Sequence, residues 1–454
     1  MRSSLRQNYF KLGMLKEVAI LAGPLVLQQL SFTLMGVTDT YFVSRVSTEA
    51  VAAVGLAGVV FFAIMLLFRS TANSSVVFVG RSYGAKDPDG VGRAVWNVLT
   101  MVALLSCLTF FLPWLFAFVF AFAAPADSEV LRELGTQYLR IRAFEVPLAM
   151  FSAVVWGFLV GRGDSRTPML LAWLQVGTNI FLDWLLVPGN LGLPPYGVAG
   201  AAYATVAANF INALLSAYIL WHPQNRLDYK TAKFHRASLK DLRNVLKVGL
   251  PMGVGDFVEV SSFSAFFALI GRLGTDTLAA NNIALQYMSM SFTLGVAVAM
   301  ACSSLVSQHL GAKKPELAEQ VGYHATLLAM LIMGTVGLTY LIAPASFIGV
   351  FSQDASVISA GVIILRLVAF YQIFDAIAIV LGGALNGAGD TTYTMMVRLI
   401  FAWGLFLPSA WLLAFPLEGG IRGAWIGALL YLSSLGIMYF FRFRSGRWKR
   451  IQLA

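Results

Sequence analysis

Apolar stretches of about 20 residues or more recur along nearly the whole chain, and short polar connectors separate them. A run of that length can cross the hydrocarbon core of a bilayer as an α-helix. The pattern therefore predicts an all-α polytopic membrane protein. We predict twelve transmembrane helices, at roughly residues 17–43, 51–79, 93–124, 128–160, 168–188, 196–221, 245–271, 278–305, 322–351, 356–386, 393–416 and 419–442.

The longest polar segment follows the sixth predicted span and reads HPQNRLDYKTAKFHRASLKDLRN. Its position divides the spans into two groups of six. We therefore predict an N-terminal six-helix lobe at residues 1–222, a cytoplasmic linker at residues 223–244, and a C-terminal six-helix lobe with a basic cytoplasmic tail at residues 245–454.

The two predicted lobes repeat one another in sequence. Three pairs of residues share a spacing of 227 positions, namely Pro24 with Pro251, Arg45 with Arg272, and Gly84 with Gly311. A second block, YLRIRAF against ILRLVAF, aligns at a spacing of 226. Because six spans is an even number, both lobes have the same orientation, as in transporters whose parallel repeats are related by an axis along the membrane normal.

Composition and charge restrict the possible functions further. Hydrophobic residues make up 58% of the chain and charged residues 12%, which excludes the soluble classes. The two cysteines and four histidines lack metal-ligand spacing, so we expect no such metal site. Basic residues concentrate on one side of the membrane when the N-terminus is placed inside, which predicts that both termini are cytoplasmic. The net charge of +10 then needs no nucleic-acid partner, and the basic tail is expected to contact anionic membrane lipids.

Two acids in the N-terminal lobe have no counterpart in the repeat. Asp39 aligns with Phe266, and Asp183 aligns with Ser409. Asn179 and Asp183 are spaced i, i+4 and share one helix face. With Thr205 on the next span, these side chains could hold a proton or chelate a hard cation such as Na⁺, which prefers oxygen ligands. The alternative is that the two acids are solvated separately at the membrane interface.

The C-terminal lobe has its own acids near the predicted bilayer midplane. Glu259 and Asp375 lie deep in their spans, and Asp256 is one turn from Glu259. Acids at that depth favour a water-filled cleft or a paired, protonated state, and therefore a second ion site or a substrate counter-charge. The alternative is a purely structural ion pair, for which the predicted spans offer Arg366, Arg140 and Arg69.

Other catalytic motifs are weak or missing. GRGD at 161–164 and GAGD at 387–390 match the GxGD pattern of intramembrane aspartyl proteases. Both are repeat equivalents at predicted cytoplasmic turns, where Gly and Asp are common, so we interpret them as turns. The sequence contains no GxxxxGK[ST] motif for ATP. We therefore expect neither an enzyme nor a cofactor.

Several segments together resemble the multidrug and toxic compound extrusion (MATE) transporters, most closely the DinF branch. They are GPLVLQQLSFTLMGVTDTYFVSR, VGRSYGAKD, RGDSRTP, TNIFLDWLLVPG and GVAGAAYATV. The resemblance covers the chain in order and topology. It implies two six-helix bundles around a cleft, alternating access, and export of amphipathic or cationic compounds in exchange for H⁺ or Na⁺. It also implies a monomer in the plasma membrane, which is the inner membrane of a bacterium or archaeon.

The resemblance also assigns residues to roles. The family's N-lobe cation site is similar to Asp39, Asn179, Asp183 and Thr205, with Tyr138 as a neighbour. Glu259 and Asp375 look like C-lobe acids of the NorM-like branch, which are linked to Na⁺. The chain thus resembles both branches, which leaves the coupling ion open. The alternative in the same superfamily is a flippase for a lipid-linked precursor, whose cleft is expected to be basic.

Overall fold

The computed structural model of the protein describes residues 12–123 and 128–453, and this part of the chain is helical throughout. Its first nine α-helices are α1 Leu12–Ser44, α2 Thr48–Asn73, α3 Ser75–Gly84, α4 Pro88–Thr109, α5 Leu112–Ala123, α6 Glu129–Arg142, α7 Glu145–Gly161, α8 Arg166–Leu186 and α9 Gly197–Leu220. The remaining nine are α10 Pro223–Tyr229, α11 Leu239–Gly271, α12 Thr275–Gly311, α13 Pro315–Ile342, α14 Pro344–Gly349, α15 Ala355–Gly387, α16 Thr391–Phe401, α17 Leu407–Ala414 and α18 Gly420–Arg444.

The prediction of an all-α fold with twelve spans is confirmed. Within the described residues, eleven helices are long and apolar enough to cross a membrane, and the bent pair α6 and α7 makes a twelfth span. The predicted spans are too short at many ends. For example, α12 covers 37 residues and α11 covers 33 residues. Polar residues that lie on the flanking turns still form intrahelical hydrogen bonds, so hydropathy alone underestimates helix length.

Three predicted spans are interrupted. The third breaks between α4 and α5, and its predicted last residue, 124, lies outside the described residues. The fourth bends by 42° between α6 and α7. The ninth ends at Ile342, and α14 begins at Pro344. A proline favours the first turn of a helix because it has no amide hydrogen to donate, which explains the new start at Pro344.

The chain forms two compact units. The N-terminal unit consists of Leu27–Gly253, and the C-terminal unit consists of the first helix as far as Val26 together with Val254–Leu453. Helices α1 and α11 each contribute to both units. The lobe boundaries at 222 and 245, which follow the sequence repeat, stay a prediction about the two halves.

The connector after the sixth span packs on the N-terminal unit. The indole of Trp96 on α4 donates to the Thr231 carbonyl at 3.0 Å, and Lys230 forms an ion pair with Asp89 at 2.7 Å. Arg162 donates to the side chain of Asn225 at 2.6 Å. Burial and the neighbouring basic residues, of which Lys233 is the first, lower the pKa of His235 in this segment. These contacts make residues 225–231 an ordered part of the N-terminal unit.

Close helix packing in the N-terminal unit requires glycine at one position. The hydroxyl of Ser75 on α3 donates to the Val154 carbonyl on α7, and a Cβ at Gly157 would lie 2.7 Å from the backbone nitrogen of Val76. Backbone atoms cannot move aside as the end of a flexible side chain can. The side chain of residue 157 is therefore limited to hydrogen.

We expect Gly157→Ala to lower the free energy of unfolding by about 1–3 kcal/mol, because the added methyl group forces α3 and α7 apart. Gly177→Ala on α8 is the matched control, since a Cβ there meets no atom within 4 Å. Thermal unfolding of the two purified variants in detergent measures the difference. Equal stability of both variants would show that the two helices separate without cost.

Candidate functional site

The structure brings together the two N-terminal acids that lack repeat counterparts. Asp39 on α1 and Asp183 on α8 interact side chain to side chain, and Asn179 on α8 also faces Asp39. Asp183 and Asn179 are fully buried. The i, i+4 spacing on α8 therefore places the carboxylate and the amide on the face that α1 approaches.

The polar atoms of this group are not satisfied within the described part of the chain. The unpartnered buried atoms are Oδ1 of Asp39, both carboxylate oxygens of Asp183, and both amide atoms of Asn179. Leaving such groups buried without partners costs free energy, so native proteins keep few of them. Adjacent carboxylates repel each other when both are ionised. A proton or monovalent cation between them would remove the repulsion and satisfy the oxygen atoms.

Thr205 and Tyr138 lie at the edge of the acid pair. Thr205 is fully buried on α9, but its hydroxyl donates to the Ala201 carbonyl at 2.9 Å, so it can offer a ligand only its oxygen lone pairs. Tyr138 on α6 is 3% exposed and lies in the electrostatic range of Asp39. Its hydroxyl accepts a hydrogen bond from Arg142 at 2.6 Å.

Three charged residues near the acids were not predicted as part of this site. Arg142 forms an ion pair with Glu145 and is electrostatically coupled to Asp39, and Arg69 faces Glu145. The sequence contained a signal for them. At the repeat spacings Arg142 aligns with Val368, Glu145 with Tyr371 and Arg69 with Val296. The asymmetry that singled out Asp39 therefore also marks these residues.

A cavity of about 320 Å³ lies inside the N-terminal unit, and Asp39, Arg69, Arg142 and Glu145 line it. Apolar and aromatic side chains form much of the remaining wall. Polar groups also line it, namely Gln28, Ser152, Gln175, Asn209, Asn212 and Ser216. A mixed wall of this kind can accept a small amphipathic molecule or water.

The same position in the C-terminal unit is part of an aromatic core. Phe266, the counterpart of Asp39, is fully buried, with its ring centroid 4.9 Å from that of Phe406 and 5.4 Å from that of Trp425. The two units thus share a helical scaffold but differ at this point. One buries an acid and the other buries a phenyl ring.

The acids of the C-terminal unit have a counter-charge that we did not predict. Arg398 on α16 pairs with Asp256, and its Nε lies 3.3 Å from the Glu259 carboxylate. Asp375 on α15 is 8% exposed and lies in the electrostatic range of Glu259. Arg366 and Arg140 are exposed, and Arg69 belongs to the other unit. The suggestion of those three arginines as partners is therefore wrong, because their helix faces point away from the C-terminal acids.

The interpretation of the GxGD sequences as turns agrees with their geometry. Gly163 and Gly389 both have positive φ, of 89° and 84°. Asp164 accepts hydrogen bonds from the backbone and hydroxyl of Thr167, and Asp390 accepts two from Arg442. Both carboxylates are therefore committed to local structure. Among the described residues, no group of three or more His, Cys, Asp or Glu side chains is arranged to hold a metal ion.

Comparison with known proteins matches the whole length of this architecture. The MatE family model matches residues 24–185 and again residues 251–412, so the second match begins 227 positions after the first (251 minus 24). This spacing confirms the internal repeat.

Individual relatives and one solved structure are similar over nearly the whole chain. A probable multidrug resistance protein NorM of Thermotoga maritima is 27% identical, with 99% of this chain and 97% of that protein covered. A protein of the same name from Burkholderia mallei is 29% identical over 94% of this chain and 92% of its own. A solved structure of a multidrug resistance MATE family transporter in the outward-facing conformation has a TM-score of 0.86 at 22% identity, over 97% of each chain. These relatives are named NorM, and the assignment to the DinF branch stays a prediction.

Proposed function

Because the chain belongs to the MATE family of membrane transporters, we propose that it is a secondary active antiporter that exports amphipathic or cationic compounds in exchange for H⁺ or Na⁺. The relatives named multidrug resistance proteins support this substrate class. The observation that carries the proposal is the buried Asp39–Asp183 pair with its unsatisfied oxygen atoms. It is a site that a small monovalent cation would complete.

The charges around the pair suggest how exchange arises. Three carboxylates, those of Asp39, Asp183 and Glu145, face two guanidinium groups, those of Arg69 and Arg142. With all five ionised the group has a net charge of −1, and one bound proton or Na⁺ neutralises it. A net charge is costly in a low-dielectric interior, so the site favours one monovalent cation. A cationic substrate in the same cavity would compete for the same negative charge.

We propose that this competition is the basis of coupling. Binding of the ion at Asp39 and Asp183, with Asn179, Thr205 and Tyr138 as neighbours, lowers the affinity of the outward-open state for substrate. Alternating access then returns the ion inward. The coupling requires only that the ion and the substrate have different affinities for the two states. Glu259, Asp375 and Asp256 are proposed as a second ion site or as substrate counter-charges, held by Arg398.

The remaining features of the proposal concern the setting of the protein. We propose a monomer without enzymatic activity or cofactor, located in the plasma membrane of a bacterium or archaeon, where that membrane is the inner one. Both termini are proposed to lie in the cytoplasm, where the basic loops and tail contact anionic lipid headgroups.

Transport in proteoliposomes tests the function. We expect the purified protein to move a fluorescent lipophilic cation such as ethidium against its gradient when an opposing H⁺ or Na⁺ gradient is imposed. Nigericin should abolish movement driven by H⁺, and monensin in symmetric buffer should abolish movement driven by Na⁺. Imposing one gradient at a time identifies the ion. Reciprocity also predicts that ethidium releases the bound ion.

Two results would contradict the proposed antiport. One is ethidium movement that continues at full rate after both gradients are collapsed. The other is the absence of movement under either gradient, combined with translocation of a fluorescent lipid-linked pyrophosphate, which would support the flippase alternative.

A further inference from the structure

The broken fourth span carries an arginine at its break. Arg142 is the last residue of α6, Glu145 is the first residue of α7, and the two helices meet at 42°. Arg142 bonds to Tyr138 on its own helix and to Glu145 on the next. The side chains of Arg142 and Glu145 are 11% and 7% exposed. The bend is therefore bridged by a buried ion pair.

Aromatic rings hold the guanidinium in place. It lies 4.3 Å from the ring centroid of Phe61 on α2 and 5.4 Å from that of Tyr138. A planar guanidinium stacks on such rings and keeps its charge at any pH that a protein tolerates. Arg142 thus provides a charge of fixed position on the wall of the cavity that Asp39 also lines.

We propose that Arg142 is a positioning residue for ion exchange, whose charge sets how tightly Asp39 and Asp183 hold their cation, while Glu145 sets how much of that charge the two acids experience. The inference rests on the proposed antiport and deepens it. It assigns a role to an ion pair that does not itself bind the ion.

The physical basis is Coulomb interaction in a site with little water. A positive charge near two carboxylates stabilises their ionised form and weakens their hold on a proton or Na⁺. Glu145 lies between Arg142 and Arg69 and partly neutralises both. Tyr138, the remaining titratable neighbour, hydrogen-bonds to Arg142 rather than to the acids. Removal of either partner of the pair should therefore change ion affinity, and the two removals should act in opposite directions.

The experiment measures ethidium export by the full chain in proteoliposomes as a function of pH, at a constant imposed pH difference. In Arg142→Met the acids hold their proton more tightly, so the pH of maximal rate should rise by about one unit. In Glu145→Gln the charge of Arg142 acts fully on the acids, so the optimum should fall by a similar amount. The double variant should return close to the parent, as expected for residues that act through one pair.

Arg140→Met is the matched control, because Arg140 is exposed on the same helix. Its pH profile should equal that of the parent. Arg142→Lys keeps the charge but loses the planar fork, so its optimum should stay near that of the parent even if its maximal rate falls. If Na⁺ is the coupled ion, the half-saturating Na⁺ concentration replaces the pH optimum, falling about tenfold in Arg142→Met and rising in Glu145→Gln.

The outcomes separate this inference from a structural role and from failure of the antiport. A structural role would lower thermal stability and maximal rate in both variants without moving the optimum, or would move it in one direction, and either result overturns the inference. If Arg142→Met does not fold, an unshifted optimum in Glu145→Gln has the same consequence. If the parent itself transports no ethidium under any gradient, the proposed function fails instead.

Discussion

Replacement of Asp39 by asparagine is expected to reduce gradient-driven export at least about tenfold, within the range of coupling energies between linked sites. Asparagine has nearly the same shape as aspartate but cannot bind a proton or contribute a negative charge. The pair with Asp183 then keeps one carboxylate, and the net charge of the surrounding group rises from −1 to zero before any ion binds. The attraction for a monovalent cation is lost.

The measurement is the initial rate of ethidium export from proteoliposomes with and without the ion gradient. Glu133→Gln is the control, because it removes one negative charge from an exposed position on α6. Substrate binding without a gradient should persist in Asp39→Asn, since the aromatic and apolar wall of the cavity is unchanged. Export by Asp39→Asn at the parental, gradient-dependent rate would exclude the acid pair as the coupling site.

Replacement of Arg398 by methionine is expected to lower the free energy of unfolding by about 2–4 kcal/mol. Its side chain is 15% exposed, and it neutralises Asp256 and Glu259, which are 31% and 22% exposed. Without it, acids on α11 face Asp375 on α15 with no positive partner on the contacting helix. The partial exposure of Asp256 lets solvent screen part of this penalty, so the expected loss is below that of a fully buried pair.

Arg366→Met provides the comparison, because Arg366 lies on the exposed face of α15 in the same unit. We expect its stability to change by less than about 0.5 kcal/mol. Combining Arg398→Met with Glu259→Gln and Asp256→Asn should restore part of the lost stability, since no unpaired charge remains. Unfolding in detergent, followed by intrinsic tryptophan fluorescence, measures all three. Equal losses in the Arg366 and Arg398 variants would show that the ion pair is not a stabilising contact.

Hydropathy and the repeat predicted most of the fold. The spans follow from apolar length, because a helix must bury about 20 residues to satisfy its backbone in lipid. The break between Arg142 and Glu145 was not predictable in this way, because the apolar run continues across it. Its cause lies in side chains: Arg142 bonds on both sides of the bend.

The repeat also predicted part of the candidate site. It identified Asp39 and Asp183 as residues that the second half lacks, and the structure brings them together with Asn179. It could also have identified Arg142, Glu145 and Arg398, whose counterparts are Val368, Tyr371 and Ala172. Basic residues in predicted spans were considered only as partners for the C-terminal acids, and the choice among them by depth alone was wrong.

The sequence by itself determined the membrane class, the twelve spans, the internal repeat and the family, because these depend on local hydropathy and on motifs that are contiguous in the chain. Only the tertiary structure decided which charges are partners. Depth along a helix does not specify the direction in which a side chain points, and a few residues of rotation separate the exposed Arg366 from the buried Arg398. Asp39 shows both parts of this result. Its lack of a repeat counterpart was visible in the sequence, whereas its contact with Asp183 and the charge of Arg142 beside it come from the packing of α1, α6 and α8.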